Sequence, residues 1–271
     1  MILWLGYIAS LLIGIALGLL GGGGGILTVP TLHYLFNMNA EIATASSLVV
    51  VGITSLLGAA KAAHAKELDF RKGILFATPG FISVFLSRKF IVPAIPLSFN
   101  SFGLEFSRSF ILMILFALVM LFSALAMFKK KSSDLSPKDS PIPVKSATRN
   151  ILIQGFIVGG VTGLVGAGGG FLIVPALTIL VGLPMRIAIG TSLFIIALNS
   201  AIGVLSSLSS GIIFDWQILS IVASLSIFGM IVGLFLKQKI TDSLLKKIFA
   251  WLVLLMAIFI FTKEILWLFK H

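Results

Sequence analysis

Backbone amide groups in two glycine-rich runs, Gly21–Gly25 and Gly166–Gly170, are the groups of this chain best suited to chemistry. Successive glycines disfavour a continuous helix, because each costs about 1 kcal/mol relative to alanine. A helix that restarts after such a break has N–H groups without intrahelical partners and a partial positive charge. Such an end attracts anions, and in lipid its donors need a partner. The sequence therefore predicts an anion site with these substrate-binding glycines: Gly22, Gly23, Gly24, Gly25, Gly168, Gly169 and Gly170.

Small polar side chains follow both breaks, in the next hydrophobic segment of each half. Ser47, Ser192 and Asn199 are candidates for substrate binding, because hydroxyl and amide groups donate to oxyanions without placing a permanent charge in the site. The alternative for all three is interhelical hydrogen bonding, which contributes about 0.6 kcal/mol on average in membranes. The remaining polar residues of these segments are expected to serve packing: Thr44, Ser46, Thr54, Ser55, Thr191 and Ser200.

Five charged or titratable residues are candidates for coupling or gating: His33, Glu41, Asp69, Asp215 and Arg186. Titratable groups beside a membrane pathway often relay protons, so a coupling proton is an expected partner. Each residue also has a structural alternative. The carboxylates are suited to capping helices, His33 to a structural hydrogen bond, and Arg186 to anchoring a cytoplasmic loop or attracting anions at a vestibule.

The two glycine runs belong to an internal duplication. The segment GLLGGGGGILTVPTL starts at Gly18 and GLVGAGGGFLIVPAL starts at Gly163, with ten of fifteen positions identical. The segments IATASSL from Ile42 and IAIGTSL from Ile187 repeat at the same offset of 145 residues. Duplicated halves with broken hydrophobic segments are typical of proteins that bind a solute between the repeats, near the middle of the membrane.

Composition places the chain in a lipid bilayer. Hydrophobic residues make up 58% of its 271 residues and charged residues 11%, whereas a soluble domain has about 25% charged residues. Uncharged stretches such as 187–214 and 216–236 reach the roughly 20 residues that span a bilayer as a helix. The net charge of +11 lies mostly in loops, which indicates contact with anionic lipid and not nucleic acid. We expect an all-α polytopic membrane protein.

Several function classes lack the residues that they need. The chain has no cysteine, which excludes disulfides and thiol catalysis. It has no Walker A lysine motif, no H-E-x-x-H and no serine-hydrolase motif with matching partners. We therefore expect no enzyme activity, no cofactor and no metal. The apolar start of the chain lacks a basic region, so no cleaved signal peptide is expected.

Five hydrophobic segments are predicted in each half. Residues 1–128 form the first transmembrane repeat, 129–149 a cytoplasmic linker and 150–271 the second repeat. The linker is rich in Lys and Arg residues and contains three prolines. The segments are expected at about 2–20, 24–37, 41–63, 72–92 and 107–128, and at about 150–166, 170–182, 187–211, 216–237 and 244–268.

Loop charges predict that the two halves are inverted relative to each other. The loop after the third segment carries Lys61, Lys66, Arg71 and Lys72 in the first half, and its counterpart in the second half carries no basic residue. Because basic loops tend to lie in the cytoplasm, equivalent loops of the two halves are expected to face opposite sides of the membrane. This topology requires an odd number of crossings in each half. A glycine-broken hairpin of two short helices, followed by about three full spans, satisfies it and places both termini outside. Full spans in place of the hairpin are the alternative.

The doubled motif G-x-x-G-x-G-G-G-x-x-x-V-P-x-L, followed by A-T-A-S-S and A-I-G-T-S, resembles the sulfite exporter TauE/SafE family of membrane transporters. The resemblance covers nearly the whole chain and both halves. It implies anion transport across the cell inner membrane and favours export. We expect a secondary transporter of small anions, of the sulfite or organosulfonate and carboxylate class, that works by alternating access. Two alternatives stay open: an anion channel, and a membrane-embedded scaffold subunit of a sulfur-metabolising system. The sequence leaves open the particular anion, the direction, the coupling ion and the oligomeric state.

Overall fold

The computed structural model describes residues 2–38, 40–91, 94, 98–101, 104–129, 144–165, 170–209 and 212–268, and nearly all of them are helical. The first half contains α1 (Ile2–Leu20), α2 (Gly23–Pro30), α3 (Ala40–His64), α4 (Phe70–Leu86) and α5 (Arg108–Lys129). The second half contains α6 (Val144–Val165), α7 (Gly170–Pro175), α8 (Met185–Ser209), α9 (Trp216–Lys239) and α10 (Asp242–Leu268). Both halves thus follow one order, a long helix, a short helix and three longer helices.

A π-helical turn extends the short second helix of each half, at Thr31–Leu35 and Ala176–Leu180. In both halves the α-helix ends at a proline, Pro30 or Pro175. Proline lacks the N–H that the α-helical hydrogen-bond ladder uses, and the ladder continues with the wider π spacing. A turn of the same kind, Ser87–Ile91, extends α4.

The predicted segments coincide with the helices, with two differences. Helix α6 begins at Val144, before the expected start at 150, so the last part of the sequence assigned to the linker is helical. The strands β1 (Ser98–Ser101) and β2 (Leu104–Ser107) form an antiparallel pair that the all-α prediction did not include. In β2, Leu104 and Phe106 alternate with polar residues, which is the period of a strand and not of a helix.

Several helices are long and apolar enough to cross a membrane. Within the described residues these are Ile42–His64, Met185–Leu205, Trp216–Lys239 and Asp242–Lys263, judged by length and composition. Shorter apolar helices cover Trp4–Leu20, Ala117–Phe128 and Gly170–Leu180. Many large hydrophobic side chains are exposed on the outside of the bundle. Both features fit a multi-pass membrane protein, in which lipid covers the apolar outer faces.

Helices α1 and α2 form a hairpin that turns at Gly21. The φ of Gly21 is +67°, a left-handed conformation that glycine adopts without strain. Helix α2 then runs back along α1, with Gly24 packed against Leu17. The ring of Phe36, just after the π-helical turn, lies against Gly6 near the start of α1. The chain therefore returns to the end of the bundle from which it came.

The corresponding pair of helices in the second half makes a matching contact. The side-chain amide of Gln154, near the middle of α6, donates to the carbonyl oxygen of Leu180 at 3.4 Å. Leu180 ends the π-helical turn after α7. The end of the short helix therefore again lies back along the long one, about three turns from its start.

A glycine-lined crossing joins α1 of the first half to α9 of the second. Side chains at Gly14 and Gly18 would overlap the backbone of Ser226 and Met230. Small residues let helix backbones approach this closely inside membranes. Because the contacting residue numbers rise together along both helices, α1 and α9 run parallel.

The equivalent crossing joins α6 of the second half to α4 of the first. Here Gly155 and Gly159 lie against the backbone of Phe76 and Gly80. The residue numbers again rise together, so α6 and α4 also run parallel. Each half therefore provides one glycine-lined surface and receives one from the other half.

Helices α3 and α8 pack against each other in the middle of the molecule. Gly52 of α3 meets Ser200 of α8, and Gly190 of α8 meets Ala62 of α3. The residue numbers rise on one helix as they fall on the other, so this pair is antiparallel. The buried apolar core runs from these helices to the short helices and the α5–α10 pair.

Candidate functional site

The two glycine-rich breaks meet in space. A Cβ atom at Gly22 would overlap the carbonyl oxygen of Gly170, and a Cβ atom at Gly170 would lie 3.0 Å from the Cα of Gly22. Only glycine allows the two backbones to approach this closely at these positions. The approach joins the start of α2 to the start of α7. Gly168 and Gly169 lie outside the described residues.

The start of α2 carries no side-chain cap. Gly22 occupies the N-cap position, and no side-chain cap hydrogen bond is formed there within the described part of the chain. Gly23 and Gly24 form its first positions, and Gly24 faces α1, where a side chain would contact Leu17. Amide groups at the first turn of a helix need partners from outside the helix.

A small cavity lies beside the contact between Gly22 and Gly170. The space open to the centre of a water molecule is about 10 Å³, close to the minimum for one bound water. Its walls come from α2, α3, α7 and α8, and they comprise Gly22, Gly25, Ser47, Leu48, Val51, Gly170, Ile196 and Ser200. In this conformation the cavity offers about the space of one water molecule.

The cavity walls contain two pairs of residues related by the duplication. Gly25 and Gly170 are separated by the repeat offset of 145 residues, and so are Val51 and Ile196. Each pair takes one member from each half. The cavity therefore lies where the two halves present equivalent residues to each other.

The structure separates the three polar side chains predicted to bind substrate. Ser47 lines the cavity and donates to the carbonyl oxygen of Thr44 at 2.7 Å. Ser192 is buried outside the cavity wall, beside Gly21, and donates to the carbonyl oxygen of Ile189 at 2.8 Å. Asn199 lines a different cavity, between α4, α6 and α8. A substrate contact for any of the three stays a prediction.

The cavity beside Asn199 lies at the glycine-lined crossing of α4 and α6. Gly80, Gly155 and Gly159 form part of its wall. Its space for water is also about 10 Å³. The hydroxyl of Thr162 belongs to the same wall and has no hydrogen-bond partner among the described residues.

Asp69 and Asp215 cap helices. The Asp69 carboxylate accepts from the amide of Lys72 at 2.9 Å, at the start of α4. The Asp215 carboxylate accepts from the amides of Gln217 and Ile218 at 3.1 Å each, at the start of α9. Both carboxylates thus stabilise helix ends, and a coupling role for either stays a prediction.

His33 and Glu41 lie away from the cavity wall. His33 belongs to the π-helical turn after α2, and its Nδ1 lies 2.8 Å from the carbonyl oxygen of Met38. This contact closes the turn that leads to α3. Glu41 belongs to the first turn of α3, and its side chain lies outside the described residues. Coupling or gating by these two residues stays a prediction.

Arg186 lies at the start of α8, in a network of charged side chains. Its Nε donates to Asp242 at 2.9 Å, and one terminal nitrogen donates to the carbonyl oxygen of Ile240 at 2.9 Å. The other terminal nitrogen lies 3.8 Å from the carboxylate of Glu67. The predicted vestibule residue is therefore held by carboxylates from both halves.

The family model for the sulfite exporter TauE/SafE matches residues 6–260. The chain belongs to this family. A probable membrane transporter protein of Xylella fastidiosa (strain 9a5c) is 29% identical over 252 residues, covering 92% of this chain and 91% of that protein. The family is one of membrane transporters, as the resemblance implies.

Two further relatives carry similar descriptions. The probable membrane transporter protein YunE of Bacillus subtilis (strain 168) is 32% identical over 222 residues, covering 75% of this chain and 77% of the relative. A probable membrane transporter protein of Haemophilus influenzae (strain ATCC 51907 / DSM 11121 / KW20 / Rd) is 30% identical over 272 residues, covering 93% and 95%. No solved structure matches the chain.

Sequence reasoning missed four residues of the cavity wall: Leu48, Val51, Ile196 and Ser200. A search restricted to polar residues and glycines passes over the three apolar ones. The repeat offset was a usable signal, because it relates Val51 to Ile196 and both follow the second repeated segment. Ser200 was assigned to packing, and the structure places it in the cavity wall.

Proposed function

We propose that this protein is a secondary transporter of small anions of the sulfite or organosulfonate and carboxylate class. The observation that carries the proposal is the meeting of the two glycine-rich breaks, at Gly22 and Gly170, beside a cavity lined by Ser47 and Ser200. Helix starts supply amide donors and partial positive charge, which suit an oxyanion. The hydroxyl of Ser200, and that of Ser47 when it turns away from the carbonyl oxygen of Thr44, add donors without a fixed charge, so a bound anion can also leave.

The transporter works by alternating access between two inverted repeats. The directions of the packed helices support this arrangement. Helix α1 runs parallel to α9, and α3 runs antiparallel to α8. When consecutive helices alternate in direction, the short helices included, each helix of the first half therefore points opposite to its equivalent in the second. Inverted repeats of this kind rock about a central site near the middle of the bilayer.

A carrier fits the cavity better than a channel does. A channel needs a continuous water-filled path, and the space at the glycine contact holds about one water. A carrier passes through closed states in which the solute site is sealed from both sides. Movement of the two halves then opens the cavity to one side at a time.

Export is the direction that the membrane potential favours. With the inside negative, an anion gains about 2.3 kcal/mol per charge and per 100 mV when it leaves. Uptake against this potential needs a coupled proton or cation. We therefore propose export across the cell inner membrane, with the linker 129–149 in the cytoplasm and both termini outside.

Flux from proteoliposomes tests the proposed activity. Vesicles loaded with sulfite should release it faster than protein-free vesicles do, and an inside-negative potential should accelerate release. Taurine-like sulfonates and small carboxylates, added in excess, should compete. Absence of flux for every sulfur oxyanion, sulfonate and small carboxylate would contradict the proposal. Single-channel currents would show that the protein is a channel and not a carrier.

Cysteine labelling tests the inverted orientation, because the chain has no cysteine of its own. Ala65 follows α3, and Ile213, which is 85% exposed, precedes α9. These are similar places in the two repeats. A membrane-impermeant maleimide should label Ile213→Cys in intact cells and Ala65→Cys only after the membrane is opened. If both cysteines were labelled from the same side of the membrane, the two repeats would not be inverted.

A further inference from the structure

Four charged side chains from both halves form a network at one end of the bundle. Glu67, between α3 and α4, belongs to the first half. Arg186, Lys237 and Asp242, at the ends of α8, α9 and α10, belong to the second. The Nζ of Lys237 lies 2.7 Å from one carboxylate oxygen of Glu67, and Arg186 lies 3.8 Å from the other. One carboxylate of the first half thus bridges two cations of the second.

Lys237 is the most deeply buried member of this network. Its side chain is 2% exposed, whereas that of Glu67 is 23% exposed. A buried ammonium group needs a paired anion, because removal from water is otherwise very costly. Glu67 is the carboxylate in contact with Lys237 within the described part of the chain.

A cavity of about 470 Å³ reaches this ion pair. Its walls include Lys61, His64, Glu67, Lys237 and Gln238. Lys61 and His64 are exposed, so the cavity faces the surroundings of the protein on that side. The Nζ of Lys61 lies 5.6 Å from the centre of the Phe235 ring, which belongs to the same wall. A solute anion of the proposed size can therefore approach Lys237 from the side on which Glu67 lies.

We propose that Lys237 and Arg186 form a second binding site for the transported anion, which Glu67 occupies while no solute is bound. The inference rests on the proposed function. Carboxylate, sulfite and sulfonate groups all offer several oxygens on one charged centre, so each can take the place of the Glu67 carboxylate between the two cations. The incoming anion separates Glu67 from Lys237 and so releases the contact between the halves at this end.

Thermal unfolding with sulfate tests the site, with sulfate as a stable oxyanion probe and chloride at equal ionic strength as reference. Glu67→Gln removes the competing carboxylate and leaves Lys237 without its partner. Sulfate should therefore stabilise this variant at roughly one tenth of the concentration needed for the unmodified protein. Lys237→Met should remove the sulfate-specific effect. Asp69→Asn is the matched control, because it removes a carboxylate at the same end whose partner, Lys72, is not buried.

Each result has a defined consequence. Equal sulfate dependence of the unmodified protein and Glu67→Gln, or a sulfate effect that survives Lys237→Met, overturns the site. If folded Glu67→Gln protein is obtained only when sulfate is present during purification, this requirement also shows that sulfate stabilises the variant and supports the site. Stabilisation of the variant by phosphatidylglycerol but not by sulfate assigns the site to a lipid phosphate and overturns the inference.

The flux assay separates this inference from the proposed function. Sulfite flux in the unmodified protein, without tighter sulfate binding in Glu67→Gln, overturns the second site and leaves the transporter proposal standing. The opposite result is also informative. If sulfate stabilises Glu67→Gln but the unmodified protein transports none of the tested anions, the bound anion is not a transported substrate, and the proposed function is overturned.

Discussion

Gly25→Ala is expected to reduce anion flux by about 100-fold while the protein remains folded. A Cβ at Gly25 meets the Cγ1 of Val51 at 3.8 Å, an ordinary contact, so the methyl group fits without strain. The same methyl group enters the cavity, whose space for water is about 10 Å³. Alanine also favours helix α2 by about 1 kcal/mol relative to glycine. Flux and thermal unfolding, measured on the same preparation, separate the two effects.

A second substitution should restore part of the flux. Val51→Ala removes the two methyl groups nearest to the new side chain, so Gly25→Ala/Val51→Ala should regain about tenfold, a coupling of roughly 1.4 kcal/mol. Val50→Ala is the matched control, because Val50 is equally buried in α3 but packs in a different cluster. Full flux in Gly25→Ala, or equal rescue by Val50→Ala, would exclude this cavity from the transport path.

The helices and the positions of the two glycine-rich breaks were predictable because they depend on local sequence. Apolar runs bounded by charged residues set the helix limits, and the duplicated motif marks both breaks. Ser47 and Ser192 occupy equivalent positions of the repeat, so the sequence makes them equal candidates for substrate binding. The structure treats them differently, because Ser192 packs against the turn at Gly21 while Ser47 faces the cavity.

Contacts between the halves were not predictable from one sequence. Glu67 and Lys237 are 170 residues apart, and no periodicity links them. In the sequence, Glu67 is one charged residue in a basic loop. Its contact with Lys237 forms only because the fold brings the ends of α3, α8 and α9 together. The apolar residues of the cavity wall were missed for a related reason, since Val51 and Ile196 gain their role from the crossing of α3 and α8 and not from their chemistry.

Glu67→Gln is expected to lower the free energy of unfolding by about 2–4 kcal/mol in chloride buffer, or the melting temperature by roughly 4–12 °C. The loss follows from the buried ammonium group of Lys237, which keeps its charge and loses its partner. Lys237→Met should cost less, because methionine fills a similar space without a charge. Glu67 then stays 3.8 Å from Arg186 and remains partly exposed.

The double variant Glu67→Gln/Lys237→Met decides whether the ion pair stabilises the fold or serves movement between the halves. Replacing both members of a buried ion pair by neutral groups is often neutral or stabilising. We therefore expect the double variant to unfold at or above the temperature of Glu67→Gln alone. If it is also slower in flux than the unmodified protein, the pair is kept for transport at some expense of stability. Strictly additive losses in the double variant would contradict the coupling between Glu67 and Lys237.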